Sequence, residues 1–220
     1  MRLRDVLDIS ERRQRQLVRL MELGLIGMFF IGLERGKTGI VVNTTVALAV
    51  TRLPSLLERD LRLPMDAGLT LWITTAVFLH AFGTVGLPGT ASTPYQSVWW
   101  WDHLTHTLSS SVVAAAGYST ARALELHSDS NHFPGPFMFV YLLLFVIAFG
   151  VLWEVVEFLI AEAAAMLGGD PVLTQYGLED TMLDLVFNTI GGVIVALWGT
   201  AHLTDVADAL SLRLTAREAE

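Results

Sequence analysis

Residues Ser130–Trp153 read SNHFPGPFMFVYLLLFVIAFGVLW, with no Asp, Glu, Lys or Arg, and lead directly into Glu154-Val155-Val156-Glu157. Pro134 and Pro136 mark a helix start, and Gly168-Gly169-Asp170-Pro171 marks its end. The apolar run between them is long enough to cross a bilayer core of ~30 Å, which takes ~20 residues. Charge is absent in the same way from Ala67–Trp101, from His103–Ala121 and from Leu185–Thr204. Of the 220 residues 53% are hydrophobic and only 16% charged, and the mean hydropathy is +0.52. Soluble domains carry roughly 25% charged residues. The fold class is therefore all-α: a polytopic integral membrane protein with about six transmembrane helices. A soluble enzyme and a disordered chain are excluded, and with no Cys there is no disulfide scaffold, thiol nucleophile or thiolate metal site.

The predicted helices are 17–33, 38–53, 67–87, 102–124, 137–164 and 181–202. The second has only Thr38–Thr51 free of charge, so Lys37 and Arg52 must reach toward headgroups. Leu56–Leu63 reads as a short amphipathic surface segment. The Trp99-Trp100-Trp101 cluster suits the headgroup level, where an indole has one apolar and one wet side. Around the helices the organisation is a basic cytoplasmic N-terminal segment 1–16, a membrane domain 17–203 and a cytoplasmic tail 204–220. The N-terminal stretch is too charged, and lacks the small-residue cleavage site, for a cleavable signal peptide.

Basic residues are distributed unevenly among the connections. Arg2, Arg4, Arg12, Arg13, Arg15 and Arg19, then Arg52, Arg59 and Arg62, then Arg122, then Arg213 and Arg217 fall on one side of a six-span topology. The other side has only Arg35 and Lys37. By the positive-inside rule both termini are cytoplasmic, and the expected location is the cell membrane. Membrane lipids are the expected surroundings. Nucleic acid is not an expected partner, since no basic patch lies beyond the first nineteen residues and the net charge is −8.

Ionisable residues within spans are costly and should face protein or water. Helix four opens Asp102-His103-Leu104-Thr105-His106. Helix five carries Glu154 and Glu157. Helix six opens Glu179-Asp180-Thr181-Met182-Leu183-Asp184 and continues to Asn188, while helix three carries His80. Spacings of three and four put each set on one helix face. In the six-span topology all of them fall at similar depth, near the outer surface. Crowded carboxylates must share protons or hold a cation. Imidazole with carboxylate suits zinc, manganese or iron, and an oxygen-rich set suits magnesium or calcium. Asp102, His103, His106, Glu154, Glu157, Asp180 and Asp184 are the metal candidates, with Glu154 or Glu157 as general base and His80 and Asn188 in support. A di-iron bundle is a poor match, because no Glu-x-x-His occurs. Ser109, Ser110 and Ser111 follow His106 at helical spacing, but small hydroxyls also serve helix contacts.

Asp102 and His106 opening one helix, Glu154 and Glu157 late in the next, then Asp184, Asn188 and Gly191 form an ordered pattern. It resembles that of the VanZ-like and YjdF-like small membrane proteins over about residues 95–200. Thr174-Gln175-Tyr176-Gly177 before Asp180 and Asp184 is similar to the YjdF-like version, and this likeness adds Gln175 as a supporting residue. His103 stands where the family leads one to expect Arg or Lys, and adds a ligand atom. The resemblance implies a site and an architecture but no particular reaction. Three functions fit: a metal-dependent hydrolase or transferase on a lipid-linked or amphiphilic substrate, a cation- or proton-coupled transporter or channel, and a structural membrane protein whose polar residues join helices at roughly 1 kcal/mol per hydrogen bond.

Overall fold

The computed structural model describes residues 9–86, 92–128, 130–173, 175–199 and 203–218. Arg2, Arg4 and Thr174 lie outside the described residues. The described chain is helical, without a strand: α1 Glu11–Glu34, α2 Thr38–Thr51, α3 Leu53–Leu61, α4 Ala67–Gly83, the single turn α5 Pro94–Ser97, α6 Trp101–His127, α7 Gly135–Leu167, α8 Leu178–Ile194 and α9 Thr204–Glu218.

Local chemistry sets several boundaries. Ser10 caps α1 by accepting from the Arg13 N–H, so that helix starts six residues before the predicted position, with Glu11 in its first turn. Asp66 caps α4 through the Leu69 N–H at 2.8 Å. Gly168, with φ 71°, closes α7 in the left-handed conformation. Beyond α8 the helix widens into a π-turn over Val195–Gly199. The segment 204–220, expected only as a tail, is helical over Thr204–Glu218, and its Ala207 is fully buried.

Among the described residues four helical stretches are long and apolar enough to cross a membrane: Glu11–Glu34, Thr38–Leu61, Gly135–Leu167 and Leu178–Leu197. The second differs from expectation. α3 runs on from α2 after Arg52, so the weak second span and the amphipathic segment form one 24-residue stretch. Of the other two predicted crossings, α4 is apolar but 17 residues long, and α6 is long enough but opens with Asp102, His103 and His106.

Burial is inverted relative to a soluble protein. Phe30, Phe137, Leu144, Leu152, Phe158 and Leu159 point outward, whereas Asn43, Thr44, Thr74, Thr105, Glu154, Glu157, Asp184 and Asn188 are buried. An apolar exterior around a polar interior is what a hydrocarbon solvent selects. Many buried hydroxyls return to their own helix, as Thr44 does to the Ile40 carbonyl at 2.7 Å.

Two packed groups result. Leu25 and Met28 of α1, Ile40 and Ala47 of α2 and Ala81 of α4 form one core. Ala114 and Ala115 of α6, Val146 of α7, Val195 and Leu203 form another, continued by Ala121, Met138 and Leu142. The Trp72 indole of α4 donates to Ser111 Oγ of α6 at 3.0 Å across the two groups.

Candidate functional site

The first turns of α6 and α8 and the later part of α7 meet where α8 lies closest to α6. Gly191 permits that approach: a Cβ there would overlap Ser110 Oγ and the Thr107 carbonyl. At the same contact Thr107 Oγ1 donates to the Phe187 carbonyl at 3.3 Å. α8 therefore presents Asp184, one turn before Asn188, directly to the face of α6 that carries Asp102 and His106.

His106 Nε2 lies 3.4 Å from Asp102 Oδ1 and 3.7 Å from Asp184 Oδ1, and one ligand atom from each residue lies within 4.8 Å of the others. Two ligands on one metal, each at ~2.1 Å, stand ~3.0–3.5 Å apart for angles between 90° and 109°. The two separations from His106 lie at or just above that range, while the Asp102–Asp184 pair is fixed only to within 4.8 Å. Asp184 is 1% exposed, and its Oδ1 has no hydrogen-bond partner among the described residues. Its electrostatic neighbours are the carboxylates of Asp102, Asp180, Glu154 and Glu157. Asn188 is buried and its side chain reaches His106, a partner that would orient the ring.

The two glutamates point inward. Glu154 is 4% exposed with neither carboxylate oxygen hydrogen-bonded among the described residues, and it shares a cavity of about 260 Å³ with Gln175, Thr181 and Leu185. Glu157 accepts from the Trp153 indole N–H at 3.0 Å. It lines a larger cavity, about 590 Å³, together with Asp102, His106, His80 and Tyr95.

His80 belongs to a separate network. Asn43 gives both amide hydrogens away, to the Gly39 and Val172 carbonyls at 2.8 and 2.9 Å, so its Oδ1 is the acceptor for His80 Nε2–H at 3.3 Å. The Tyr95 hydroxyl then donates to His80 Nδ1 at 2.9 Å. The same oxygen lies 3.4 Å from Thr105 Oγ1, whose hydrogen goes to the Asp102 carbonyl. A neutral His80 thereby ties α2 and α4 to the first turn of α6.

Not every nominated residue joins the trio. The His103 ring stacks flat on Phe187, with centroids 4.1 Å apart and planes 6° apart, so its face is used in packing. Asp180 Oδ2 accepts from the Tyr176 N–H at 3.0 Å, and Gln175 donates to Thr181 Oγ1 at 2.9 Å. Both hold the turn before α8. Ser110 and Ser111 return hydrogen bonds to the Thr107 and Leu108 carbonyls.

Four residues on the larger cavity or its network were not singled out as site residues from sequence: Asn43, Tyr95, Arg35 and Lys37. Asn43 carried a signal as the lone amide in an apolar span. Arg35 and Lys37 carried one as the two basic residues opposing the charge bias. Tyr95 carried none, because only the fold turns the segment before α6 back toward His80.

These features define a polytopic helical membrane protein with a buried acid–histidine cluster. The chain belongs to the family described as "Predicted membrane protein (DUF2238)", whose profile matches residues 17–205. It is similar to an uncharacterized protein of Thermotoga maritima, with 31% identity over 125 residues, 55% of this chain and 56% of the relative. The match therefore spans little more than half of that relative's length. No solved structure matches the chain.

Proposed function

We propose that Asp102, His106 and Asp184 bind a divalent cation, and that the protein is a metal-dependent hydrolase or transferase acting on an amphiphilic or lipid-linked substrate. The observation that carries this reading is the buried, unpartnered Asp184 Oδ1 facing His106 at 3.7 Å. An acceptor held there without a donor forfeits its desolvation energy unless a proton or cation reaches it. One imidazole and two carboxylates suit zinc, manganese, iron or magnesium. The cation would polarise an ester or phosphoryl oxygen and bind water, and Glu157, on the same cavity, would take the proton from that water.

Six crossings of the cell membrane with cytoplasmic termini put this cluster at the outer face. Below it the apolar groups around Val146 and Leu142 fill the bundle, which favours an enclosed site over a conduction path. The likeness to VanZ-like and YjdF-like proteins rests on Asp102, His106, Glu154, Glu157, Asp184 and Asn188, residues that gather around one another here.

Asp184→Asn tests the reading, since it keeps the shape and removes the charge and half of the acceptor inventory. Metal content and affinity are measured on both purified proteins in detergent, with thermal unfolding before and after chelator. Affinity is expected to fall ten-fold or more, with the chelated forms equally stable. Equal metal content and no effect of chelator on either protein would defeat the metal site.

A further inference from the structure

Arg35 and Lys37 occupy the three-residue turn between α1 and α2, where Gly36 adopts φ 62°. Both line the cavity of about 590 Å³ whose wall includes Asp102, His106 and Glu157. The charges in this cavity are mostly segregated. Asp102 and His106 come from α6 and Glu157 from α7, the two cations come from the α1–α2 turn, and a third acid on the wall, Asp170 of the α7–α8 connection, stands on the cationic side. Lys37 Nζ is 3.4 Å from Asp170 Oδ2, a single exposed ion pair that binds this turn to the α7–α8 connection. The Arg35 guanidinium has no ion pair or hydrogen bond among the described residues and stands near Gly86. Thr93, Gln96 and Tyr176 add side chains to the rim that can donate hydrogen bonds.

An unpaired guanidinium beside an ammonium at the mouth of a cavity of ligand size selects its occupant by charge. A cationic headgroup is repelled by Arg35, and an uncharged one leaves the guanidinium without a counter-ion. An oxyanion with several acceptor atoms satisfies it, because the guanidinium fork matches phosphate oxygens in pairs. The same group, reaching inward, would meet the cation bound by Asp102, His106 and Asp184, which offsets the negative charge of the acidic wall. A phosphate offers two cationic side chains more charge and more acceptor atoms than a carboxylate does. The two basic residues that run against the charge bias of the whole chain thus have a shared use.

We propose that this cavity binds a phosphate ester, with Arg35 and Lys37 gripping its oxygens at the rim opposite the acid–histidine cluster. The inference rests on the cation-site reading for the inner end of the cavity, but the rim can be tested separately.

The test uses the full chain in detergent, loaded with manganese and freed of excess metal. Inorganic phosphate, farnesyl phosphate and farnesol are titrated into the wild type and the double variant Arg35→Gln/Lys37→Gln, with calorimetry as readout. Manganese content is measured on every sample, and thermal midpoints confirm that the exposed substitutions leave the fold intact. The expected result is binding of the phosphorylated probes, weakened ten-fold or more in the double variant with manganese content unchanged. Farnesyl phosphate binding more tightly than phosphate identifies a lipid-linked source, and equal affinities identify a free phosphate. Either supports the proposal. If farnesol binds as well as farnesyl phosphate, or if the double variant binds the phosphates like the wild type, the proposal is overturned while the manganese data stand on their own. Binding that persists in chelator and still depends on Arg35 and Lys37 upholds the rim, even if the protein retains no manganese.

Discussion

Glu154 has both carboxylate oxygens buried and without a hydrogen-bond partner among the described residues, a costly arrangement in a low-dielectric bundle. Replacing a buried, unpartnered ionisable group with an apolar side chain of similar volume removes that desolvation cost. Glu154→Met is therefore expected to raise the thermal midpoint of the metal-free protein in detergent. A drop in the midpoint would mean that the carboxyl contributes structural bonding. At the opposite end of α6, Glu125 lies beyond the predicted span 102–124. It accepts from the Phe133 N–H at 3.0 Å and pairs with Arg122 and His132. The Phe133 hydrogen bond, then Arg122, hold its carboxyl below the ordinary glutamate value. With the folded-state value depressed, its contribution is complete above the unfolded value of about 4.3 and disappears as pH falls through the folded value. Thermal midpoints measured from pH 7 down to pH 3 should thus fall less steeply for Glu125→Gln than for the wild type. Parallel curves would show that these bonds do not contribute to stability.

At the scale of helices, the decisive contact is α8 against α6, and its two glycines are not equivalent. A Cβ at Gly191 would strike the Thr107 carbonyl, which is backbone and cannot rotate away. At Gly192 it would meet Val146 Cγ2 at 3.3 Å, a side chain able to give by a few tenths of an ångström. Overpacking of the first kind costs about 1–3 kcal/mol, while alanine in a helix regains up to ~1 kcal/mol over glycine. Gly191→Ala should lower the thermal midpoint clearly and Gly192→Ala should leave it nearly unchanged, and equal effects would contradict the close approach. The helices themselves were legible in the sequence, because charge-free runs and helix spacing report burial one element at a time. Asp102, His106 and Asp184 were legible for the same reason, being polar at spacings that share a face. What periodicity cannot report is which face meets which neighbour. The stacking of His103 on Phe187, the Tyr176 N–H bond to Asp180, the return of Tyr95 to His80 and the Arg35–Lys37 rim all depend on contacts between elements distant in the chain. The missed continuity of α2 with α3 is different: Pro54 in the first turn of α3 and Arg52 before it read as a break, yet proline is tolerated there because its missing N–H has no helical partner to lose.

The connections of the whole molecule sort into two ends by their contacts. Lys37 reaches Asp170, the Asn43 amide reaches the Val172 carbonyl and Arg35 stands beside Gly86, so the α1–α2, α4–α5 and α7–α8 connections gather at the cavity end. Arg52 lies 3.5 Å from Glu22, and His127 bonds to Thr215 of α9 at 3.1 Å, both at the other end. Twelve of the fourteen basic residues belong to that other end by chain order. The positive-inside rule predicts that this end is cytoplasmic and that the cavity opens on the outside. The absence of native cysteine makes the orientation directly measurable. Asp170→Cys lies at the cavity end and Ala216→Cys near the end of α9, both at exposed positions. In intact cells a membrane-impermeant maleimide is expected to label the cysteine at 170 and to leave that at 216 unlabelled until the membrane is opened. Labelling at 216 alone would invert the protein and turn the cavity toward the cytoplasm. Labelling of both in intact cells would require an even number of crossings between residues 170 and 216, and would break the assignment of connections to ends on which the outward-facing site depends.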